Sequence, residues 1–285
     1  MRISRFAAAL ALLAAAAANG AGPSDRSDHF DEMTARVKAQ MLSEPASAIG
    51  AGQEALAYAR GQHSAHKIAT ALWLLGEGYS RINEPVRAKA LLAQALSIVQ
   101  KVERNSVLHA DILLSQGGVL TATGDVGAAL VDLQKSYELF SENKETRSQA
   151  KALILIALLY YGGNDNNSAL RYFAQARETY SKDQGLALAI YNGMGNALKE
   201  TQRFAAAEQQ YAQALRLARG MSSDLLVAQV LSNIARVRLM QKDLPRADQA
   251  IAEGRKLTQR KAAAPYRPLF QVLGAQSAFL HHRLG

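Results

Sequence analysis

Apolar and polar residues alternate along most of the chain with the spacing of amphipathic helices, and small residues recur on those helices in fixed pairs. In each pair, a glycine or alanine on one apolar stretch precedes an alanine on the next by 12 positions. The first members of successive pairs are 41, 40, 38 and 40 residues apart. Such a period, with two helices in each unit, predicts an array of helical hairpins. The pairs are Gly76/Ala88, Gly117/Ala129, Ala157/Ala169, Gly195/Ala207 and Ala235/Ala247.

The second helix of each unit carries two further recurring positions. A large apolar residue stands 16 positions after the first small residue, and a second small residue stands 19 positions after it. Small side chains let the two helix axes approach, and we expect the large residue to fill the space one turn along. The large residues are Leu92, Leu133, Phe173, Tyr211 and Ile251, and the small ones are Ala95, Ser136, Ala176, Ala214 and Gly254.

The stretch 72–79, followed by Ala88, Leu92 and Ala95, resembles the signature of the tetratricopeptide repeat (TPR) family. The resemblance covers about residues 45–285. It implies an all-α fold, a TPR-like right-handed superhelical solenoid of antiparallel helix pairs. The period is about 40 residues rather than 34, and the proline that usually closes a unit is missing. In this the chain resembles the long-repeat arrays that stand before a diguanylate cyclase or sensor histidine kinase in bacterial receptors.

The repeat pattern divides the chain into four segments. We expect a signal peptide at 1–20, then a polar leader and a degenerate N-terminal helical hairpin at 21–66. Five TPR-like repeats follow at 67–262, and 263–285 is either the first helix of an incomplete sixth repeat or a capping helix. We favour the incomplete repeat, because we expect Phe270, Leu273 and Leu280 to leave that helix with an uncovered apolar face.

The first twenty residues are typical of a cleaved secretory signal. Arg2 and Arg5 precede an apolar run at 6–18, and small residues follow, so we expect cleavage between Gly20 and Ala21. Thirteen apolar residues are fewer than the ~20 that span a bilayer. The sequence therefore predicts a bacterial protein that is periplasmic or secreted, with no stable membrane insertion of the mature chain.

The composition offers few groups for catalysis or metal binding. The chain has no cysteine, and no Cys, Asp or Glu near His63 and His66 completes a metal-ligand set. Neither a phosphate-binding glycine loop nor a nucleophile motif is found, so we expect no cofactor and no enzyme activity. The net charge falls from +9 to +7 once Arg2 and Arg5 are removed. Because no basic run is interleaved with aromatics, we expect no nucleic-acid partner.

The resemblance implies that the first helix of each unit lines a concave groove. In the fourth and fifth units this face carries amides and cations, which are suited to gripping a peptide backbone or a carboxylate. The predicted partner-binding residues are Asn192, Asn196, Lys199, Gln229, Ser232, Asn233 and Arg236. In the second and third units the same face is mainly apolar or small, with Leu114, Gly118, Thr121, Ile154 and Leu158, though with Asp111 and Lys151.

Asn196 and Asn233 resemble two of the five residues with which chaperone-binding family members clamp a C-terminal carboxylate. The match stops there, since Asn192 stands where that clamp has lysine, and Pro268 and Val272 replace its last two cations. Five large aromatic residues are predicted to pack in the core, namely Trp73, Tyr79, Tyr160, Phe173 and Tyr211.

These patterns predict an exported, non-catalytic scaffold that binds a protein or peptide partner in its groove. One alternative is the periplasmic sensory region of a signalling receptor, a diguanylate cyclase or histidine kinase whose catalytic domain lies outside this chain. Another is a basic array that binds a wall polymer or an anionic surface. For the scaffold, replacing Asn196 and Arg236 by alanine is expected to weaken partner capture while leaving the melting temperature nearly unchanged. The oligomeric state does not follow from the sequence.

Overall fold

The computed structural model describes residues 28–284, which contain thirteen α-helices, one 3₁₀ helix and no β-strand. The all-α prediction is therefore confirmed for this part of the chain. The predicted signal peptide at 1–20 and residues 21–27 of the polar leader lie outside the described residues. The chain forms two compact units, divided between Gly162 and Gly163.

Unit 1 contains seven helices within its described residues, 28–162. Helices that are consecutive in the chain pack against each other. The first helix also contacts the third, the third contacts the fifth, and the fifth contacts the seventh. Every second helix therefore lies on the same side of the unit. The helices are α1 (His29–Ser43), α2 (Pro45–Gly61), α3 (Ala65–Arg81), α4 (Pro85–Val102), α5 (Val107–Thr123), α6 (Val126–Glu142) and α7 (Thr146–Gly162).

Unit 2 contains six α-helices within its described residues, 163–284. Here too consecutive helices pack together, and α9 contacts α11 directly. They are α8 (Asn166–Thr179), α9 (Gln184–Glu200), α10 (Phe204–Gly220), α11 (Asp224–Met240), α12 (Leu244–Leu257) and α13 (Arg267–Leu284), with a 3₁₀ helix at Lys261–Tyr266 before the last one. None of the described helices in either unit combines the length and apolarity needed to cross a membrane.

The turns within the predicted hairpins share one backbone conformation. Each has a single residue with positive φ, which follows one helix and lets the next begin two residues later. Where an aspartate follows, its side chain accepts a backbone N–H of the new helix and so caps it. The positive-φ residues are Asn83, Gly124, Asn164, Gln202 and Lys242, and the capping residues are Asp125, Asp165 and Asp243.

The helix crossings in unit 1 lie where the small residues recur. A Cβ atom on Gly76 would be 2.7 Å from Cγ of Leu92 and 3.4 Å from the carbonyl oxygen of Ala88. Gly117 has the same relationship with Leu133, whose Cγ would be 2.6 Å away. The small residue is thus required for close approach, as predicted. The large residue lies directly against it rather than one turn along, because it covers the gap that the missing side chain leaves.

In unit 2, the glycines at the helix crossings lie against larger side chains than in unit 1. Gly195 lies against the buried ring of Tyr211, and Gly193 lies against the buried ring of Phe173. The second small position of the repeat is used as well, since Gly254 of α12 accommodates the ring of Phe270 from α13. Glycine at these sites makes room for whole aromatic rings in the core of the unit.

The last helix exposes a different face from the one that the sequence predicts. Phe270 and Leu273 are fully buried against the preceding helices, so they do not form an uncovered apolar face. Val272 and Phe279 are instead exposed, at 54% and 60%. Near its end, α13 is held by Asp248 of α12, which accepts hydrogen bonds from Ser277 Oγ at 2.5 Å and from His281 Nε2 at 2.8 Å. The choice between an incomplete repeat and a capping helix stays a prediction.

Candidate functional site

The seven predicted partner-binding residues lie on two helices of unit 2 that contact each other. Three are on α9 and four on α11, and we call the surface that they form the α9–α11 face. Four of the seven are buried and three are partly exposed. The buried ones are Asn192, Lys199, Gln229 and Ser232, and the partly exposed ones are Asn196, Asn233 and Arg236.

One hydrogen bond joins the two helices across this face. The side-chain amide of Asn233 donates Nδ2–H to Oδ1 of Asn192, with 2.9 Å between the two atoms. The bond uses one of the donors of Asn233 and the oxygen of Asn192. Asn233 is partly exposed, so its second N–H and its oxygen are the parts of this pair that remain for a bound backbone.

Asn196 is tied to the core of its own hairpin. Its Oδ1 atom accepts a hydrogen bond of 2.7 Å from the hydroxyl of Tyr211, whose ring is fully buried beside Gly195. The bond fixes the orientation of the Asn196 amide, so its Nδ2 donors point away from the Tyr211 oxygen. Alanine at position 196 removes an acceptor from a buried hydroxyl, so we expect the change to lower stability rather than to leave the melting temperature nearly unchanged.

Three of the buried residues are engaged within the unit. The ammonium of Lys199 lies 2.8 Å from a carboxylate oxygen of Glu200, and Ser232 donates a 2.7 Å hydrogen bond to the backbone carbonyl of Gln229. With its side chain only 5% exposed, Lys199 is poorly placed to reach a partner's carboxylate. Lys199, Ser232 and Gln229 are therefore better suited to shaping the face than to contacting a ligand.

Arg236 is the partly exposed cation of the face. It makes no hydrogen bond or ion pair with any residue in the described part of the chain, whereas Arg238, half a turn further along α11, pairs with Glu208 at 3.3 Å. A guanidinium without an internal partner offers its fork of N–H donors to a carboxylate or to peptide carbonyls. The face therefore combines two oriented amides with one available cation.

The predicted apolar groove residues fall in unit 1, where the face is more polar than expected. Gly118, Thr121, Ile154 and Leu158 are buried, and Leu114 is partly exposed. Beside them, the indole N–H of Trp73 in α3 donates to Ser115 Oγ in α5 at 2.8 Å. Desolvation raises the pKa of the Asp111 carboxyl to about 7, although the ammonium groups of Lys151 and Lys38 oppose this.

The five aromatic residues predicted to pack in the core are not all buried. Phe173 and Tyr211 are fully buried, which confirms the prediction for them. Trp73, Tyr79 and Tyr160 remain partly exposed. The contact that sequence reasoning missed is that of Tyr211, whose hydroxyl orients a predicted binding residue. A signal was present, because Tyr211 follows Gly195 by the recurring 16 positions and Asn196 is adjacent to that glycine.

The two histidines with metal-like spacing are separated by a turn. His63 lies between α2 and α3 with a φ of 52°, and His66 Nδ1 is 2.8 Å from a carboxylate oxygen of Glu103. Among the described residues, no group of three or more His, Cys, Asp or Glu side chains is placed to hold a metal ion.

No protein-family profile and no curated protein sequence matches the chain. Solved structures do match it in fold. NprR in complex with its cognate peptide NprX has a TM-score of 0.63 at 14% identity, covering 87% of this chain and 74% of that one. Cut9 with Hcn1, the hetero-tetramer of the APC/C, gives 0.64 at 18% identity. That match covers 86% of this chain, which spans only 42% of the length of the matched one.

A third match names the repeat. A putative kinesin light chain from Podospora anserina with nearly identical TPR-like repeats has a TM-score of 0.54 at 15% identity, covering 66% of this chain and 93% of its own. Together with the paired helices, these similarities show that the chain has a TPR-like helical-repeat fold. The fold prediction is thereby confirmed. The resemblance to repeat arrays of cyclase or kinase receptors stays a prediction.

Proposed function

We propose that this chain is an exported, non-catalytic helical-repeat scaffold that binds an extended protein or peptide segment along the α9–α11 face. The observation that carries the proposal is the Asn192–Asn233 hydrogen bond, which joins two neighbouring helices and orients the partly exposed amide of Asn233. Amides in this position can satisfy the N–H and C=O groups of a bound backbone without requiring a particular side chain.

The proposal gives the seven residues two different roles. Asn196, Asn233 and Arg236 are partly exposed and contact the partner, the two amides through its backbone and the guanidinium through a carboxylate or carbonyl. The four buried residues hold the face in shape, through the contacts made by Asn192, Lys199, Gln229 and Ser232. Buried polar groups that are hydrogen-bonded rigidify their surroundings, which lowers the entropy lost on binding.

Two of the similar structures support this class of partner. NprR is seen with its cognate peptide, and Cut9 is seen in a hetero-tetramer with Hcn1. Proteins that share a fold need not bind the same ligand, so the residues of this chain decide what it binds. The basic balance of the mature chain, +7 without Arg2 and Arg5, favours a partner segment that carries acidic side chains or a free carboxylate near Arg236.

Export rests on the first twenty residues. The proposal places the mature chain in the periplasm or outside the cell after cleavage between Gly20 and Ala21, because two arginines and a short apolar run precede that position.

Peptide display followed by amide exchange tests the proposal. A random library of ten-residue peptides is selected on the full-length chain, and the enriched peptides are synthesised. We expect them to slow amide hydrogen exchange in α9 and α11 of unit 2, and we expect acidic residues to be enriched among them. Protection confined to other helices, or no enrichment over a bead control, would reject the α9–α11 face as the binding surface.

A further inference from the structure

Six side chains lie together on the odd-numbered helices of unit 1. The indole of Trp73 is held by its 2.8 Å hydrogen bond to Ser115, and the Lys38 ammonium lies over the ring at 5.8 Å from its centroid. Trp73 is only partly buried, so the residue keeps some exposure to solvent. We call this group the unit 1 cluster, and its members are Lys38, Trp73, Glu77, Asp111, Ser115 and Lys151.

Asp111 is the carboxylate of the cluster that makes no ion pair with the described residues, whereas Glu77 is paired with Arg81. Asp111 lies one helical turn before Ser115 on α5, so both side chains project from the same side of the helix. The carboxyl makes no hydrogen bond with the described residues, and removal of water is the largest influence on it. It keeps some solvent exposure nonetheless. A desolvated acceptor that remains reachable is a place where a ligand's donor gains a strong hydrogen bond.

The charges around Asp111 come from four segments of the unit. The ammonium groups are those of Lys151 on α7 and Lys38 on α1, and the carboxylates are those of Glu77 on α3 and of Glu145, just before α7. Glu77 is also paired with Arg81 of the same helix, at 3.6 Å. Asp111 makes no ion pair with any described residue, so when it is ionised its carboxylate can accept from an added cation.

We propose that the unit 1 cluster is a second binding site, which takes the guanidinium of an arginine side chain presented by a partner peptide. The planar group lies over the Trp73 ring and donates N–H groups to the Asp111 carboxylate. The Lys38 ammonium already occupies a position over the ring, which shows that a cation is accepted there. Lys38 is exposed and flexible, so an incoming guanidinium displaces it at little cost.

An anionic ligand fits the cluster less well. It would approach Lys38 and Lys151, but it would meet the carboxylates of Glu77 and Asp111 at the same place. The two classes of ligand predict opposite pH dependences of the affinity and opposite effects of removing Lys38. A guanidinium favours ionised Asp111, so its affinity rises with pH, and removing Lys38 removes a competitor. For an anion, the affinity falls as the pH rises, and removing Lys38 removes a favourable contact.

The single tryptophan of the chain supplies the readout, since Trp73 is the only source of indole fluorescence. The full-length protein is titrated with acetyl-Gly-Arg-Gly-amide, with the uncharged citrulline analogue, with the glutamate analogue and with free argininamide. The variants are Asp111→Asn, Lys38→Ala and the control Asp132→Asn, which makes the same change on α6 of the same hairpin. Thermal unfolding checks that each variant is folded.

We expect a saturable change in Trp73 emission with the arginine peptide and none with the citrulline peptide. The affinity should rise between pH 6 and pH 8, fall about tenfold in Asp111→Asn with loss of the pH dependence, and rise in Lys38→Ala. Asp132→Asn should bind as the parent does. Binding of argininamide as tight as that of the peptide would show that the ligand is a free guanidinium compound and overturn the peptide assignment. Preference for the glutamate peptide, weaker binding by Lys38→Ala, or unchanged binding by Asp111→Asn would overturn the site.

Discussion

Gly195 in α9 faces the buried ring of Tyr211 in α10, and a Cβ atom at position 195 would lie 2.7 Å from Cδ1 of that ring. A fully buried aromatic ring has little freedom to move aside, so the absence of a side chain sets how closely these two helices pack. The hydroxyl of the same tyrosine orients Asn196 on the adjacent surface. One contact thus links the repeat pattern to the proposed binding face.

Overpacking this crossing should destabilise unit 2. We expect Gly195→Ala to lower the free energy of unfolding by about 1 kcal/mol, since the clash costs more than the gain in helix propensity returns. Gly220→Ala is the control, because a Cβ atom there meets nothing within 4 Å. Urea unfolding followed by circular dichroism should show the control at least as stable as the parent. Equal stability of the two variants would mean that the crossing is loose.

The Asn196–Tyr211 hydrogen bond should appear as a coupling energy. Asn196→Ala should cost about 1 to 2 kcal/mol, because a buried hydroxyl loses an acceptor. In a Tyr211→Phe background, the same change at Asn196 should cost much less. A double-mutant cycle in urea measures the difference, and a coupling near zero would argue against the bond.

The unusual Asp111 carboxyl should make stability depend on pH. Its folded pKa, about 7, lies above the unfolded value, so the folded state holds its proton where the unfolded state has lost it. The free energy of unfolding of the parent should therefore fall between about pH 4 and pH 7, by up to about 4 kcal/mol relative to Asp111→Asn. Parallel pH profiles for parent and variant would contradict the assignment of a buried, desolvated carboxyl.

Export predicts a defined mature terminus. When the whole chain is produced in a Gram-negative host, intact-mass measurement of the periplasmic fraction should find Ala21 as the first residue. Replacing Arg2 and Arg5 by glutamate should block export, whereas Arg26→Glu, beyond the expected cleavage point, should have no effect. A parent chain that stays in the cytoplasm with residues 1–20 attached would contradict the prediction.

The repeat period allowed the fold to be predicted, because it acts through sterics that depend only on residue size. Gly76, Gly117 and Gly195 lie at crossings as the 12-residue pairing required. The period also indicates contacts between successive repeats. Asn192 and Asn233 are 41 residues apart, and Trp73 and Ser115 are 42 apart, so residues about one period apart on alternate helices can form hydrogen bonds.

The roles of individual polar residues could not be predicted in the same way. Lys199 and Arg236 look equivalent in the sequence, yet one is buried beside Glu200 and the other is partly exposed and unpaired among the described residues. Asp111 has an ordinary sequence context, and its raised pKa comes from the removal of water by neighbouring helices. Such properties depend on the packing of side chains far apart in sequence.

The most direct test of the central claim is the affinity of a selected peptide for two matched double variants. Asn196→Asp with Arg236→Ala alters the α9–α11 face but keeps an oxygen for Tyr211, and Gln209→Glu with Arg216→Ala makes the same charge change on α10. Calorimetry should show at least tenfold weaker binding by the first variant and parental binding by the second. Equal affinity for both variants would contradict the claim that this face binds the partner.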